Sequence, residues 1–212
     1  MDDFLTLQQL SAFLAASVLI TLAPGPDNMM VLGLGVSRGK KQGMLFGLGC
    51  AIGCFSHTLL AALGISALIA ATPLAFATLK IAGGLYLVWL GVQAIRNARP
   101  LAATQAPDTA LESDARLFAR GLLANAINPK VILFFLAFLP QFVASTRGHA
   151  AWQILQFGTL FSLQAALIFG VIGWFAGAIG EKLTRHPRLA AWLDRLAGGI
   201  FILIGGKLIA AR

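Results

Sequence analysis

Apolar residues fall into six long runs along the chain, separated by short polar breaks. The runs cover roughly 8–37, 42–70, 76–96, 117–144, 150–180 and 189–210. A helix needs ~20 residues, rising 1.5 Å each, to cross a hydrocarbon layer ~30 Å thick, and every run is long enough. Two runs are interrupted, the first at Pro24-Gly25-Pro26 and the fourth at Asn128-Pro129. Pro73 punctuates a charge-free loop after the second run. The stretch 98–115 holds two prolines with Asp108, Glu112 and Asp114, and Glu181–Arg188 reads as a charged loop. The pattern predicts an all-α polytopic membrane protein, a single membrane domain over residues 1–212. Its six transmembrane helices would include proline-broken first and fourth helices.

Composition sharpens this reading. Charged residues are 11% of the 212 residues and hydrophobic residues 58%, against roughly 25% charged in soluble domains. No fold could cover such a chain with polar groups, so the expected solvent is a lipid bilayer. The net charge of +8 would suggest nucleic acid in a soluble protein. Here eleven of the sixteen basic residues flank alternate loops, at 38–41, 96–120 and 182–195. Positive loops held in the cytoplasm explain that, so no nucleic acid is expected and both termini are predicted outside. The N-terminal MDDFLTLQQL is acidic, and its apolar stretch continues past Pro24 to Val36. It is expected to be a retained span rather than a cleaved signal.

The chain also repeats itself. Lys80-Ile81-Ala82-Gly83-Gly84-Leu85-Tyr86-Leu87 aligns with Arg195-Leu196-Ala197-Gly198-Gly199-Ile200-Phe201-Ile202, and Gly91 then falls opposite Gly206. The two interrupted runs correspond as well. The predicted units are repeat one over 1–97, a cytoplasmic loop over 98–115, and repeat two over 116–212. Three spans per copy force the second copy to insert upside down, giving a three-plus-three inverted repeat of the kind found in secondary transporters.

The interruptions carry the candidate chemistry. A proline inside a helix removes a backbone bond, and hydrocarbon cannot satisfy the freed groups. A break at membrane depth therefore belongs against protein or a water-filled cavity. Pro24, Gly25 and Pro26 precede Asp27 and Asn28, while Asn125, Asn128 and Pro129 surround Lys130. Asp27 is the only acid deep within a run and Lys130 the only base, and charges at that depth are functional by default. Asp27 could hold the ammonium of a zwitterion while Lys130 or the half-helix ends hold its carboxylate. It could instead carry a coupling proton, or pair with Lys130 as a buried ion pair with no ligand. A break that only shapes packing is the plain alternative.

His57, midway along the second run, could shuttle protons or simply bond a neighbouring carbonyl. Cys50 and Cys54 share a helix face and read as packing, with no metal site expected. Gly43, Gly47, Gly49 and Gly53 suit close helix contacts, within the chain or in a homo-oligomer. Gln153, Gln156 and Gln164 would suit a cavity lining, and Trp89, Trp152, Trp174 and Trp192 read as interfacial anchors. Neither a His-Glu-x-x-His motif nor a phosphate-binding Gly-x-x-x-x-Gly-Lys loop occurs, so neither a zinc enzyme nor a primary pump is expected. No cofactor is implied. Export of cations or metal ions and an intramembrane enzyme are the competing readings, weakened by the single deep acid.

Four motifs then resemble one family. Leu22-Ala23-Pro24-Gly25-Pro26-Asp27-Asn28, Ser37-Arg38-Gly39-Lys40-Lys41-Gln42-Gly43, Gly84-Leu85-Tyr86-Leu87-Val88-Trp89-Leu90-Gly91 and Gly121-Leu122-Leu123-Ala124-Asn125-Ala126-Ile127-Asn128-Pro129-Lys130 are similar to the LysE/RhtB family of amino-acid exporters. The resemblance implies a multi-pass bacterial inner-membrane protein, not an enzyme. It also implies efflux of amino acids or close derivatives, small zwitterions, by antiport with protons.

Overall fold

The computed structural model describes residues 5–71, 73–96, 112–144, 149–185 and 187–210. Among them all regular structure is helical: α1 Leu7–Leu22, α2 Pro26–Arg38, α3 Lys40–Ala71, α4 Pro73–Arg96, α5 Asp114–Ala126, α6 Pro129–Leu133, α7 Ala150–Trp174, α8 Ala176–Arg185 and α9 Pro187–Ala210. Most of the predicted loop 98–115 lies outside the described residues.

Local chemistry sets the ends. Thr6 opens α1 with a reciprocal cap: its hydroxyl accepts from the Gln9 N–H at 3.2 Å, and Gln9 Oε1 accepts from the Thr6 N–H at 3.0 Å. Gln9 Nε2 also donates to the Phe142 carbonyl at 2.8 Å, tying the two broken segments together. Pro26 and Pro129 each occupy the first turn of a helix, where their missing N–H is not needed. Gly39 ends α2 at φ 97°, a conformation that costs glycine little. After α6 the helix widens into a π turn over Phe134–Phe138 and tightens into a 3₁₀ turn over Leu139–Phe142. Pro140 offers no N–H to the Leu136 carbonyl, so the regular ladder cannot continue.

Lys40–Gly64 and Ala150–Trp174 are each apolar and long enough to cross a membrane. Two bent pairs also qualify when each counts as one span, α1 with α2 at 56° and α5 with the helix from Pro129 to Phe142 at 49°. Both bends fall where the sequence places its interruptions. One expectation needs correction. Glu181–Arg185, read as loop, is the end of α8, and the fifth run breaks at Phe175. The segment is helical because its small residues pack on α2, Ala176 against Gly35 and Gly180 against Val36. Its charges stay in water, with Arg185 on Glu181 one turn away.

The distribution of polarity is inverted relative to a water-soluble fold. Leu60, Leu63, Leu163, Leu167 and Leu203 lie exposed, while Asp27, Asn28, His57, Asn125, Asn128 and Lys130 are buried. That is the arrangement hydrocarbon demands. The interior is dominated by phenylalanines, with the Phe13 ring tilted against Phe157 at 4.6 Å and Phe134 against Phe161 at 5.1 Å. Glycines let the helices approach backbone to backbone. Gly43 and Gly47 face α2 and α7, while Gly49 and Gly53 face α5, so both glycine pairs serve contacts within the chain. In the same way Gly84 meets the Gly205 carbonyl and Gly91 the Gly198 carbonyl, setting α4 antiparallel to α9.

Candidate functional site

The two helix breaks meet at the centre of the molecule. Asp27 is the second residue of α2 and Lys130 the second residue of α6. Asp27 is 2% exposed and Lys130 7%. A helix start favours an acid and disfavours a base, and the two side chains behave accordingly. Asp27 stays at its own helix end, where Asn125 Nδ2 donates to its Oδ2 at 2.7 Å. Lys130 leaves its helix start and reaches back to the end of α1. There Nζ donates to the Ile20 carbonyl at 3.2 Å and to the Ala23 carbonyl at 3.0 Å. These are carbonyls freed by the break, at the negative end of that helix. Gly25 passes directly beside this side chain, and a Cβ there would stand 2.8 Å from Nζ.

Direct pairing of the two charges, one of the three roles the sequence leaves open, does not occur here. Among the described residues no ion pair within 4.0 Å joins Asp27 to Lys130. Both instead line one small cavity, with Thr21, Cys54, Asn125 and Phe134 among its walls. Asp27 Oδ1 has no hydrogen-bond partner. Lys130 carries three N–H donors, of which two are engaged. The cavity measures about 10 Å³, the room a single water needs. It is closed to anything the size of an amino acid.

Asn125 is the hub. Besides donating to Asp27, its Oδ1 accepts from the Cys54 thiol at 3.4 Å. Its backbone carbonyl lies 3.0 Å from His57 Nε2. A carbonyl can only accept, so Nε2 is the protonated nitrogen of that ring. His57 therefore bonds a neighbouring carbonyl, one of the two roles open to it, and is joined to Asp27 through Asn125, outside the lining of this cavity. Asn28 Nδ2 donates to the Thr21 carbonyl at 2.8 Å and leaves its Oδ1 unpaired. Asn128 caps α6 through Oδ1, accepting from the Lys130 N–H at 3.0 Å, and leaves its Nδ2 unpaired. Pro26 and Pro129 point outward. They open the breaks without touching the cavity.

Three features escaped the sequence reading. Cys54 bonds Asn125, although its place on an apolar helix face suggests packing alone. Thr21 lines the cavity and accepts from Gln164 Nε2 at 2.8 Å. Phe134 begins the π turn and walls the cavity. The spacing Cys54, His57, Thr58 is a polar stripe on one helix face, as is Ser17, Thr21. Either stripe marks an inward face in an otherwise apolar span. Of the glutamines, Gln164 reaches the site, while Gln153 bonds both backbone groups of Ala144.

Broken helices with buried, incompletely bonded charges at membrane depth define a helical membrane transporter rather than an enzyme. The chain belongs to the LysE type translocator family, whose model matches residues 18–212. It is a multi-pass protein of the bacterial inner membrane. It is 36% identical over 203 residues to an uncharacterized membrane protein of Vibrio cholerae, covering 95% of this chain and 96% of that one. It is 32% identical to the threonine efflux protein of Escherichia coli K12, covering 92% and 94%. A homoserine/homoserine lactone efflux protein of Salmonella typhimurium is 29% identical, over 95% and 96%. No solved structure matches the chain.

Proposed function

We propose that this chain exports amino acids or close derivatives by antiport with protons, through a three-plus-three inverted repeat whose central site lies between the two helix breaks. One observation carries the reading. Asp27 Oδ1 and the third hydrogen of Lys130 Nζ are free, belong to opposite breaks, and border the same cavity. A zwitterion offers an ammonium to the first and a carboxylate to the second. In the proposed cycle the cavity widens as the half-helices part, Asn125 keeps Asp27 oriented, and a proton replaces the substrate ammonium on the return. Asn28 and Asn128 supply a spare acceptor and a spare donor beside the charges.

The packing of α4 on α9 bears on the inverted repeat. The Gly84–Gly205 and Gly91–Gly198 contacts exchange with each other when Gly84 is matched to Gly198 and Gly91 to Gly205, one residue from the alignment of the two sequence copies. Gly199 and Gly206, the partners in that alignment, meet nothing of the protein within 4 Å.

Threonine and homoserine are the first substrates to test, because the relatives named above export them. Vesicles holding the purified chain and labelled threonine should lose label faster when the outside is made acidic. Release that ignores the pH gradient removes the antiport, and no release of any amino acid removes the export reading. Reporter fusions at Lys41, Thr109 and Arg185 should mark cytoplasm, and one after Arg212 the outside.

A further inference from the structure

Beside the contact of α3 with α7 lies a second, larger space, a groove of about 410 Å³ that shares no lining residue with the central cavity. Met44 and Leu48 on α3 and Ala166 and Gly170 on α7 form its walls. Lys40 and Trp174 close its end, with Lys40 Nζ 3.6 Å above the Trp174 ring. The helices run antiparallel here, since Gly173 meets Met44 while Gly158 meets Thr58. Lys40 and Trp174 therefore meet where α3 begins and α7 ends.

Its dimensions are those of one leaflet. From Lys40 to Leu48 is about 12 Å along a helix, against ~15 Å for half of the hydrocarbon core. Exposed Leu48, Leu163 and Leu167 place it on the lipid-facing perimeter. The end of the groove is basic: Lys40 and Lys41 both line it. Lys41 is paired with Asp114 at 2.5 Å. Lys40 has no carboxylate within 4.0 Å among the described residues and rests on an aromatic face instead. By the positive-loop rule this end is cytoplasmic, the leaflet surface where anionic headgroups meet juxtamembrane bases.

We infer that this groove is a binding site for one anionic glycerophospholipid of the cytoplasmic leaflet, its phosphate on Lys40 and one acyl chain along Ala166 and Gly170. A phosphate meets Lys40 and Trp174 at the interface, and the acyl chain covers the small-residue wall that no side chain of the protein fills. The inference does not depend on the transported substrate.

The test is native mass spectrometry of the full chain, extracted from vesicles containing equal phosphatidylglycerol and phosphatidylethanolamine. The wild type should retain phosphatidylglycerol about five-fold over phosphatidylethanolamine, the preference one lysine supplies at an anionic surface. Lys40→Gln should bring the ratio to about one. Gly170→Leu should remove retention of both lipids while the protein stays folded, because a side chain at Gly170 meets nothing of the protein within 4 Å. Equal retention of the two lipids by the wild type, or unchanged retention by Gly170→Leu, overturns the site. Disulfide-linked dimers of a Leu48→Cys variant in the membrane would also overturn it, assigning the groove to a second copy.

Discussion

The two helix breaks use the same backbone device and opposite charges. In each, a proline sits in the first turn of the second half-helix and an ionisable residue follows it. The acid of the first break agrees with its helix end and keeps one oxygen free. The base of the second break conflicts with its helix end and braces the other break instead. The difference teaches that equivalent positions in two related segments need not do equivalent work. Asp27 keeps one oxygen unpaired, whereas Lys130 spends two of its three hydrogens on the end of α1.

Substitutions can break this comparison. The largest effect is expected from Asp27→Asn, which should lower export about 10²-fold, the scale of one hydrogen bond to a charge, at unchanged abundance in the membrane. Lys130→Met should act differently. It strips the Ile20 and Ala23 carbonyls of their donor, at about 1–3 kcal/mol for each buried group left unsatisfied, so abundance measured by immunoblot should fall along with export. A double neutral variant that is abundant and exports normally would reduce both residues to a structural role. Asn125→Ala should cost about tenfold in export, near the worth of one buried bond, because Asp27 loses the Asn125 Nδ2 donor. If export is unchanged, the orientation of Asp27 does not depend on the second break. Pro26→Ala and Pro129→Ala should give the smallest losses, a few-fold. Both rings point away from the cavity, and alanine restores only one N–H. Full export at equal abundance would make the breaks simple kinks.

Much of this was legible in the sequence. Pro24, Pro26 and Pro129 mark the bends because proline cannot donate, whatever surrounds it. Asp27 and Lys130 stand out because the other charges of the apolar runs lie nearer their ends. What the two do with their charges was not legible. Lys130 finds Ala23 across more than a hundred residues of chain, and only tertiary packing decides whether it meets a carboxylate or a carbonyl. The α8 segment was hidden because Glu181, Lys182, Thr184 and Arg185 read as loop unless the apolar side that docks on α2 is known. Cys54 was hidden because a thiol is a weak donor, silent until an amide stands beside it.

The close helix contacts have a consequence for how this protein tolerates change. Alanine is ordinarily the mildest replacement a helix can receive. Here a methyl at Gly49 would fall on the Phe118 carbonyl, and one at Gly121 on the Phe46 carbonyl, backbone atoms that cannot rotate aside. A single carbon would wedge α3 from α5 and carry Cys54 away from Asn125. A survey of all substitutions should therefore find these positions nearly monomorphic, while the outward leucines accept almost any apolar residue. The selective pressure along this chain would then fall on its smallest side chains.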